Sequence, residues 1–195
     1  SALASKSKSV GTGPLYQESA CAPALCQTRA CMSESPLSER KRRLGLDPES
    51  LIHALVDADS WLPLTPGGAS SPYRYGPEVC TGLATIESRR VALYVIDSTH
   101  DKGFVTSAGA DKIRRVMDRA EELGVPVIAL LASAGVSVEE GLKSGEAYTR
   151  VITGNIRLSA VVPQIAVVLS VTMGAPAYSA TLQDFVLFNK TRSHL

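Results

Sequence analysis

The sequence predicts an α/β fold, and three observations carry that prediction. Two apolar runs of strand length, VALYVI (91–96) and VPVIALL (125–131), are too short for helices and sit between polar or small residues. Between them, Ala110–Leu123 places Ile113, Val116, Met117, Ala120 and Leu123 on one helical face, and Gly124 stops it. The unit strand, small-residue turn, helix start then occurs twice, at Leu131–Ser137 and at Val171–Tyr178.

Taken in order, residues 1–38 are rich in Ser, Ala, Lys and Gln without periodicity and read as a flexible tail. Residues 39–78 read as a helix and linker. They open on the basic run Glu39–Arg43, a solvated segment by its composition. Asp47 and Pro48 start a short amphipathic helix in which Leu51, Ile52, Leu55 and Val56 recur at helical spacing. Trp61 follows as a packing anchor, and Thr65–Pro72 is a loop by composition. Residues 79–195 form the core. Val79–Ile86 and Arg90–Ile96 are strands flanking Glu87-Ser88-Arg89, and Asp97–Gly109 is a loop of polar and small residues. After the helix at Ala110–Leu123 and the strand ending at Leu131, a second helix is expected from Ser137 to about Val151. Leu158–Val171 is a further strand region, broken by Pro163. Ala177–Leu182 is a short helix, and Asp184–Phe188 a last strand.

A chain of 195 residues, 45% hydrophobic and 20% charged, suits one globular domain with an appended tail. A net charge of +1 gives no basic field for nucleic acid. No apolar run is long enough to span a bilayer, and the N-terminus has no hydrophobic stretch of a secretory signal, so a cytoplasmic protein is expected. Cys21, Cys26 and Cys31 are spaced C-x4-C-x4-C, without the C-x2-C pair of most structural zinc sites and with no His among them. Free thiols in a reducing compartment are preferred over metal ligands, and no metal site is expected.

The most informative stretch is Val125–Leu142. Ala132-Ser133-Ala134-Gly135-Val136 lets the backbone turn sharply. Ser137-Val138-Glu139-Glu140 has the spacing of a capping box, a Ser with Glu three residues on. A strand running into a helix start through small residues can present backbone N–H groups to an anion; a tight βα turn with no ligand has the same signature. Ser133 has neither a nucleophile-elbow motif nor an evident His partner. Gly141-Leu-Lys-Ser-Gly145 lacks phosphate-loop spacing.

Three segments bring the chain to a family. TGLATIESRRVALYVID (81–97), AGADKIRRVMDRAEELGVPVIALLASAGVSVEEG (108–141) and RLSAVVPQIAVVLSVTMGAPAYSATLQDFV (157–186), in this order and spacing, resemble the β-type carboxyltransferase component of biotin-dependent acyl-CoA carboxylases. That family lies in the crotonase-like superfamily, and the likeness runs from about Leu46 to Leu195. It implies a repeated ββα superhelix, incomplete at the C-terminus. It implies transfer of a carboxyl group from carboxybiotin to an acyl-CoA of the acetyl or propionyl class, in fatty acid or polyketide biosynthesis. The intermediate would be an enolate held by backbone oxyanion holes. Biotin, as carboxybiotin on a carrier protein, and a coenzyme A thioester are the implied cofactor and substrate, with biotin's ureido group as the base. The implied partners are a second carboxyltransferase chain or domain, the biotin carboxyl carrier protein and biotin carboxylase. Nucleic acid and membrane are not among them.

By the same resemblance, Ala134 and Gly135 match the paired glycines of the first oxyanion turn. Gly174 and Ala175 match those of the second. Gly103 matches a Gly-Gly-Ser loop near the thioester, with Phe104 and Val136 beside the substrate. The departures are specific. The first turn reads Ser-Ala-Gly followed by Val136-Ser137, where Ser-Gly-Gly and Ala-Arg are usual. The loop reads Lys102-Gly103-Phe104, the second turn has Pro176, and the zinc ribbon of the bacterial type is absent or degraded. Alanine keeps its N–H but takes positive φ only at a cost. Two alternatives stand beside the carboxyltransferase. One is a malonyl-type thioester decarboxylase using the same enolate chemistry without biotin. The other is a non-catalytic partner that assembles with an active homologue.

Overall fold

A computed structural model describes residues 47–64 and 76–195. The expected tail at 1–38, the basic run and Cys21, Cys26 and Cys31 lie outside the described residues, as does the whole of the loop at 65–72.

Helix α1 (Pro48–Leu55) starts as expected: the Asp47 carboxylate accepts the Ser50 N–H at 3.0 Å, and Pro48 takes the first position, where no N–H is needed. A short strand β1 (Leu62–Pro63) pairs antiparallel with β2 (Val79–Ile86), which pairs antiparallel with β3 (Arg89–Ile96). The β2–β3 turn puts Glu87 (φ 49°) and Ser88 (φ 64°) in the left-handed region that a two-residue hairpin demands. Asp57 holds it: its carboxylate accepts the N–H groups of Glu87 (2.9 Å) and Ser88 (2.8 Å) and the Thr85 hydroxyl (2.6 Å). Those bonds, the Thr85 hydroxyl first, keep the Asp57 carboxyl below its ordinary value. Trp61 is a packing anchor: a Cβ on Gly82 would lie 2.5 Å from its ring.

Strand β3 continues into a parallel array with β5 (Val127–Ser133), β7 (Gln164–Thr172) and β8 (Phe185–Phe188), giving the sheet order β1-β2-β3-β5-β7-β8. A second, two-stranded sheet pairs β4 (Phe104–Val105) with β6 (Gly135–Val136). Alternation along β3 divides the core. Ala92, Tyr94 and Ile96 join one cluster with α2 (Ser107–Leu123) and α3 (Leu142–Leu158), while Leu93 and Val95 join another with Ile52 of α1. Helix α4 (Gly174–Thr181) adds Ala180 to the first cluster.

Several boundaries differ from the sequence expectation. Helix α2 begins at Ser107, not Ala110, because the Thr106 hydroxyl caps it by accepting the Gly109 N–H at 3.1 Å. Helix α3 begins at Leu142, not Ser137. The Ser137 N–H instead donates to Val105 O at 2.8 Å, and the Glu140 carboxylate accepts the Ser107 N–H at 2.6 Å, capping α2 rather than its own helix. That same helix runs on to Leu158, so the expected strand region at Leu158–Val171 begins only at Gln164, with Pro163 just ahead of it, where its missing N–H costs nothing. Helix α4 begins at Gly174, which puts Pro176 in a first turn that tolerates it.

Candidate active site

Parallel pairing of β5 and β7 delivers both small-residue turns to the same edge of the sheet. Past a bulge, Ser133 faces Thr172 in the register, and the Met173 N–H donates to Ser133 O at 2.9 Å. The β4–β6 ladder sets Phe104 against Gly135 and Val105 against Val136. Gly103, Phe104, Ala134, Gly135, Val136, Gly174 and Ala175 thus collect in one place, although they come from three stretches of chain. A Cβ built on Gly174 (φ 65°) would lie 3.7 Å from the Gly135 Cα. One built on Gly135 (φ 125°) would lie 3.8 Å from Met173 O and 4.0 Å from the Phe104 ring. At Gly103 (φ 73°) the approach is closer still: a Cβ would meet Ala132 O at 2.4 Å, which no side chain allows.

The direction of the N–H groups separates the two turns. Ala134 donates to Lys102 O at 3.1 Å, and Gly135 donates to Ser133 Oγ at 3.1 Å. The expectation that these two N–H groups are open to a ligand is therefore not met, because each has an acceptor within the chain. At the second turn, Gly174 and Ala175 occupy the first two positions of α4, no side chain caps that helix, and Pro176 next to them has no N–H. First-turn N–H groups have no intrahelical acceptor, and they carry the positive end of the helix dipole.

The loop beside the turns is strained. Asp101 (φ 40°), Lys102 (φ 55°) and Gly103 (φ 73°) are three successive left-handed residues, two of which carry a Cβ. This conformation aims the carbonyls of Lys102 and Gly103 at the first turn, where they accept the Ala134 N–H and the Ser133 hydroxyl (2.6 Å). Next to it, Asp101, Phe104, Ser137, Val138 and Glu139 line a small cavity of about 110 Å³. Phe104 and Val138 supply its apolar lining, and the two carboxylates are exposed.

Beneath α4 lies a buried polar group that the sequence reading missed. Asn155 of α3 donates to the Ser179 hydroxyl of α4, and Gln183 donates to the Tyr94 hydroxyl at 3.2 Å. Burial pushes the Tyr94 hydroxyl up to about 12, and it raises that of Tyr148 as well. The only sequence signal is the run of Tyr, Asn and Ser at positions that otherwise face the core.

His100 is exposed on the loop before Asp101, and His53 is exposed on α1. The Cys80 thiol is pushed up by burial, the opposite of what a reactive thiolate needs. Among the described residues no group of three or more His, Cys, Asp or Glu could hold a metal ion, and no helix is long and apolar enough to cross a membrane.

A family model described as the carboxyl transferase domain matches residues 48–195. The carboxyltransferase subunit of propionyl-CoA carboxylase from Haloferax mediterranei is 36% identical over 120 residues, covering 62% of this chain and 23% of its own. The beta5 subunit of a biotin-dependent acetyl-/propionyl-coenzyme A carboxylase from Mycobacterium tuberculosis is 33% identical over 144 residues, covering 70% of this chain and 26% of its own. Among solved structures, the transcarboxylase 12S with methylmalonyl-coenzyme A and methylmalonic acid bound superposes with a TM-score of 0.73 at 27% identity, over 81% of this chain and 32% of that one. The chain spans about a quarter of the length of these curated relatives.

Proposed function

The chain belongs to the carboxyl transferase domain family, and from that premise we propose that it is a carboxyltransferase-type subunit of an acyl-CoA carboxylase. Its substrate is an acyl-CoA of the acetyl or propionyl class, and a second carboxyltransferase chain or domain completes the enzyme. The observation that supports this best is the meeting of the two turns, with Gly135 against Gly174 where α4 opens.

In this reading the thioester oxygen sits at the start of α4 and accepts the N–H groups of Gly174 and Ala175. Loss of the α-proton moves charge onto that oxygen, and fixed dipoles stabilise it without titrating. Ala134 and Gly135 form the facing wall; lack of a side chain at Gly135 keeps the space open. Gly103, Phe104 and Val136 border the acyl group. Carboxybiotin, brought by a carrier protein, is the second substrate and supplies both CO2 and the base for the α-proton. The α-carbon then bonds the carbon of CO2, and the charge passes from the thioester oxygen to the new carboxylate. The residues fit this division of labour: the gathered glycines and alanines offer backbone and small side chains, and the carboxylates of Asp101 and Glu139 line the adjacent cavity.

The test uses the full chain together with candidate partner chains, biotin carboxylase and the carrier protein. Biotin-dependent carboxylation of propionyl-CoA or acetyl-CoA is the expected result. Release of CO2 from malonyl-CoA without biotin identifies a decarboxylase instead. Inactivity in every combination, with tight binding to an active homologue, identifies an assembly partner.

A further inference from the structure

Ser133 is 1% exposed and touches all three segments of the site. Its hydroxyl donates to Gly103 O at 2.6 Å and accepts the Gly135 N–H at 3.1 Å. Its carbonyl accepts the N–H of Met173, the residue before Gly174, at 2.9 Å. The Oγ–Gly103 bond holds the strained Asp101–Gly103 turn against β5. The Gly135 bond turns that N–H inward, which leaves the Cα face of Gly135 toward Gly174. The carbonyl sets where α4 begins. A buried hydroxyl with both its proton and a lone pair committed has little freedom to move.

We propose that Ser133 is the positioning residue of the thioester site: it never meets the substrate, and it fixes the distance between Gly135 and the start of α4, where the thioester oxygen is held. The inference rests on the proposed function above.

The experiment measures binding of two probes to the full chain by calorimetry. Propionyl-CoA carries the carbonyl oxygen, and S-propyl-CoA lacks it. In the wild type propionyl-CoA binds more tightly, and the ratio of the two Kd values reads the oxygen contact alone. Ser133→Ala is expected to shrink that ratio about tenfold, the scale of one buried hydrogen bond, while Kd for S-propyl-CoA stays within about twofold. Ser133→Thr keeps the hydroxyl and is expected to retain the ratio. Should the alanine variant not fold, Ser133→Cys, close in shape and a far weaker donor, carries the same measurement. An unchanged ratio in Ser133→Ala or Ser133→Cys overturns the positioning role, as does equal weakening of both probes. A wild type that does not discriminate between the probes sinks the thioester reading itself, and the role of Ser133 with it.

Discussion

The turn after β5 and the turn after β7 share a plan and differ in what their amides do. Both leave a parallel strand, the first buried throughout and the second mainly on one face. The first, Ser133–Val136, folds back on itself: Ala134 and Gly135 donate to Lys102 O and Ser133 Oγ, and the chain continues as the short strand β6 before α3 starts at Leu142. The second, Met173–Ala175, enters α4 at once and leaves its leading N–H groups at an uncapped helix end. Similar composition thus yields a wall in one case and a donor array in the other. What decides is whether an acceptor within reach claims the amides. Lys102 O and Ser133 Oγ do so at the first turn, and no side chain caps the second.

Substituting the two glycines tests this division. Gly135→Val forces a β-branched residue to φ 125°, and a loss of about 2–3 kcal/mol in urea unfolding is expected, with thioester binding lost as well. Survival of activity in that variant would falsify the placement of the site. Gly174→Ala is milder for the fold: its Cβ meets the Gly135 Cα at an ordinary 3.7 Å, so the cost is the left-handed strain of about 1–2 kcal/mol. Its methyl nevertheless enters the space proposed for the thioester oxygen, and propionyl-CoA carboxylation is expected to fall at least about tenfold, the scale of one lost charge-stabilising contact. The wall turn is expected to answer in stability and binding together, and the donor turn chiefly in catalysis.

Alkaline titration separates the supports of the two turns. Tyr94 keeps its proton in the folded chain to about pH 12, against an ordinary value of 10.0. Below pH 10 both folded and unfolded chains hold that proton and the full stability is present. As pH rises through 10 to 12 only the unfolded chain releases it, and stability falls, by about 1 kcal/mol at pH 11 from this residue. Tyr94→Phe should flatten that decline. Because the Tyr94 hydroxyl contacts Gln183 and the cluster around Ser179, amides of α4 are expected to exchange before those of β5 and β6. The smallest effect expected is a gain. Lys102→Gly relieves one left-handed residue with a Cβ (φ 55°) and should raise stability by about 1 kcal/mol, read as a shift in the urea midpoint. If Lys102→Gly destabilises, the side chain has a role beyond its backbone.

Much of the sheet was legible because its signals are local. VALYVI and the strand at Val79–Ile86 lie where expected, and Ile113, Val116, Met117 and Ala120 are fully buried on one face of α2. The gathering of Gly103, Gly135 and Gly174 was legible through the family pattern. What misled was the Ser137–Glu140 pair. Its spacing fits a capping box, and the Glu140 carboxylate does cap a helix N-terminus, but that of α2, 33 residues earlier in sequence. Spacing cannot show which of two helix ends a side chain will reach. Pro163 misled in the same way: read as a break inside a strand, it stands at the boundary where α3 has already ended. The hub at Ser133 was invisible for a third reason. Its hydroxyl was weighed as a nucleophile, whereas its partners, Gly103 O and the Gly135 amide, are backbone groups that no residue-type pattern encodes.

The parallel pairing of β5 with β7 has one more consequence. Strand β5 is buried along its length and β7 mainly on one face, and both release their turns at the same end of the sheet. Ala134, Phe104 and Pro176 depart from the family pattern at that end, while Ser133 and Thr172 stay paired behind them. A shift of one residue in the pairing of β5 on β7 would move the two turns apart by about 3.3 Å, so sheet register and the spacing of the proposed site are one variable.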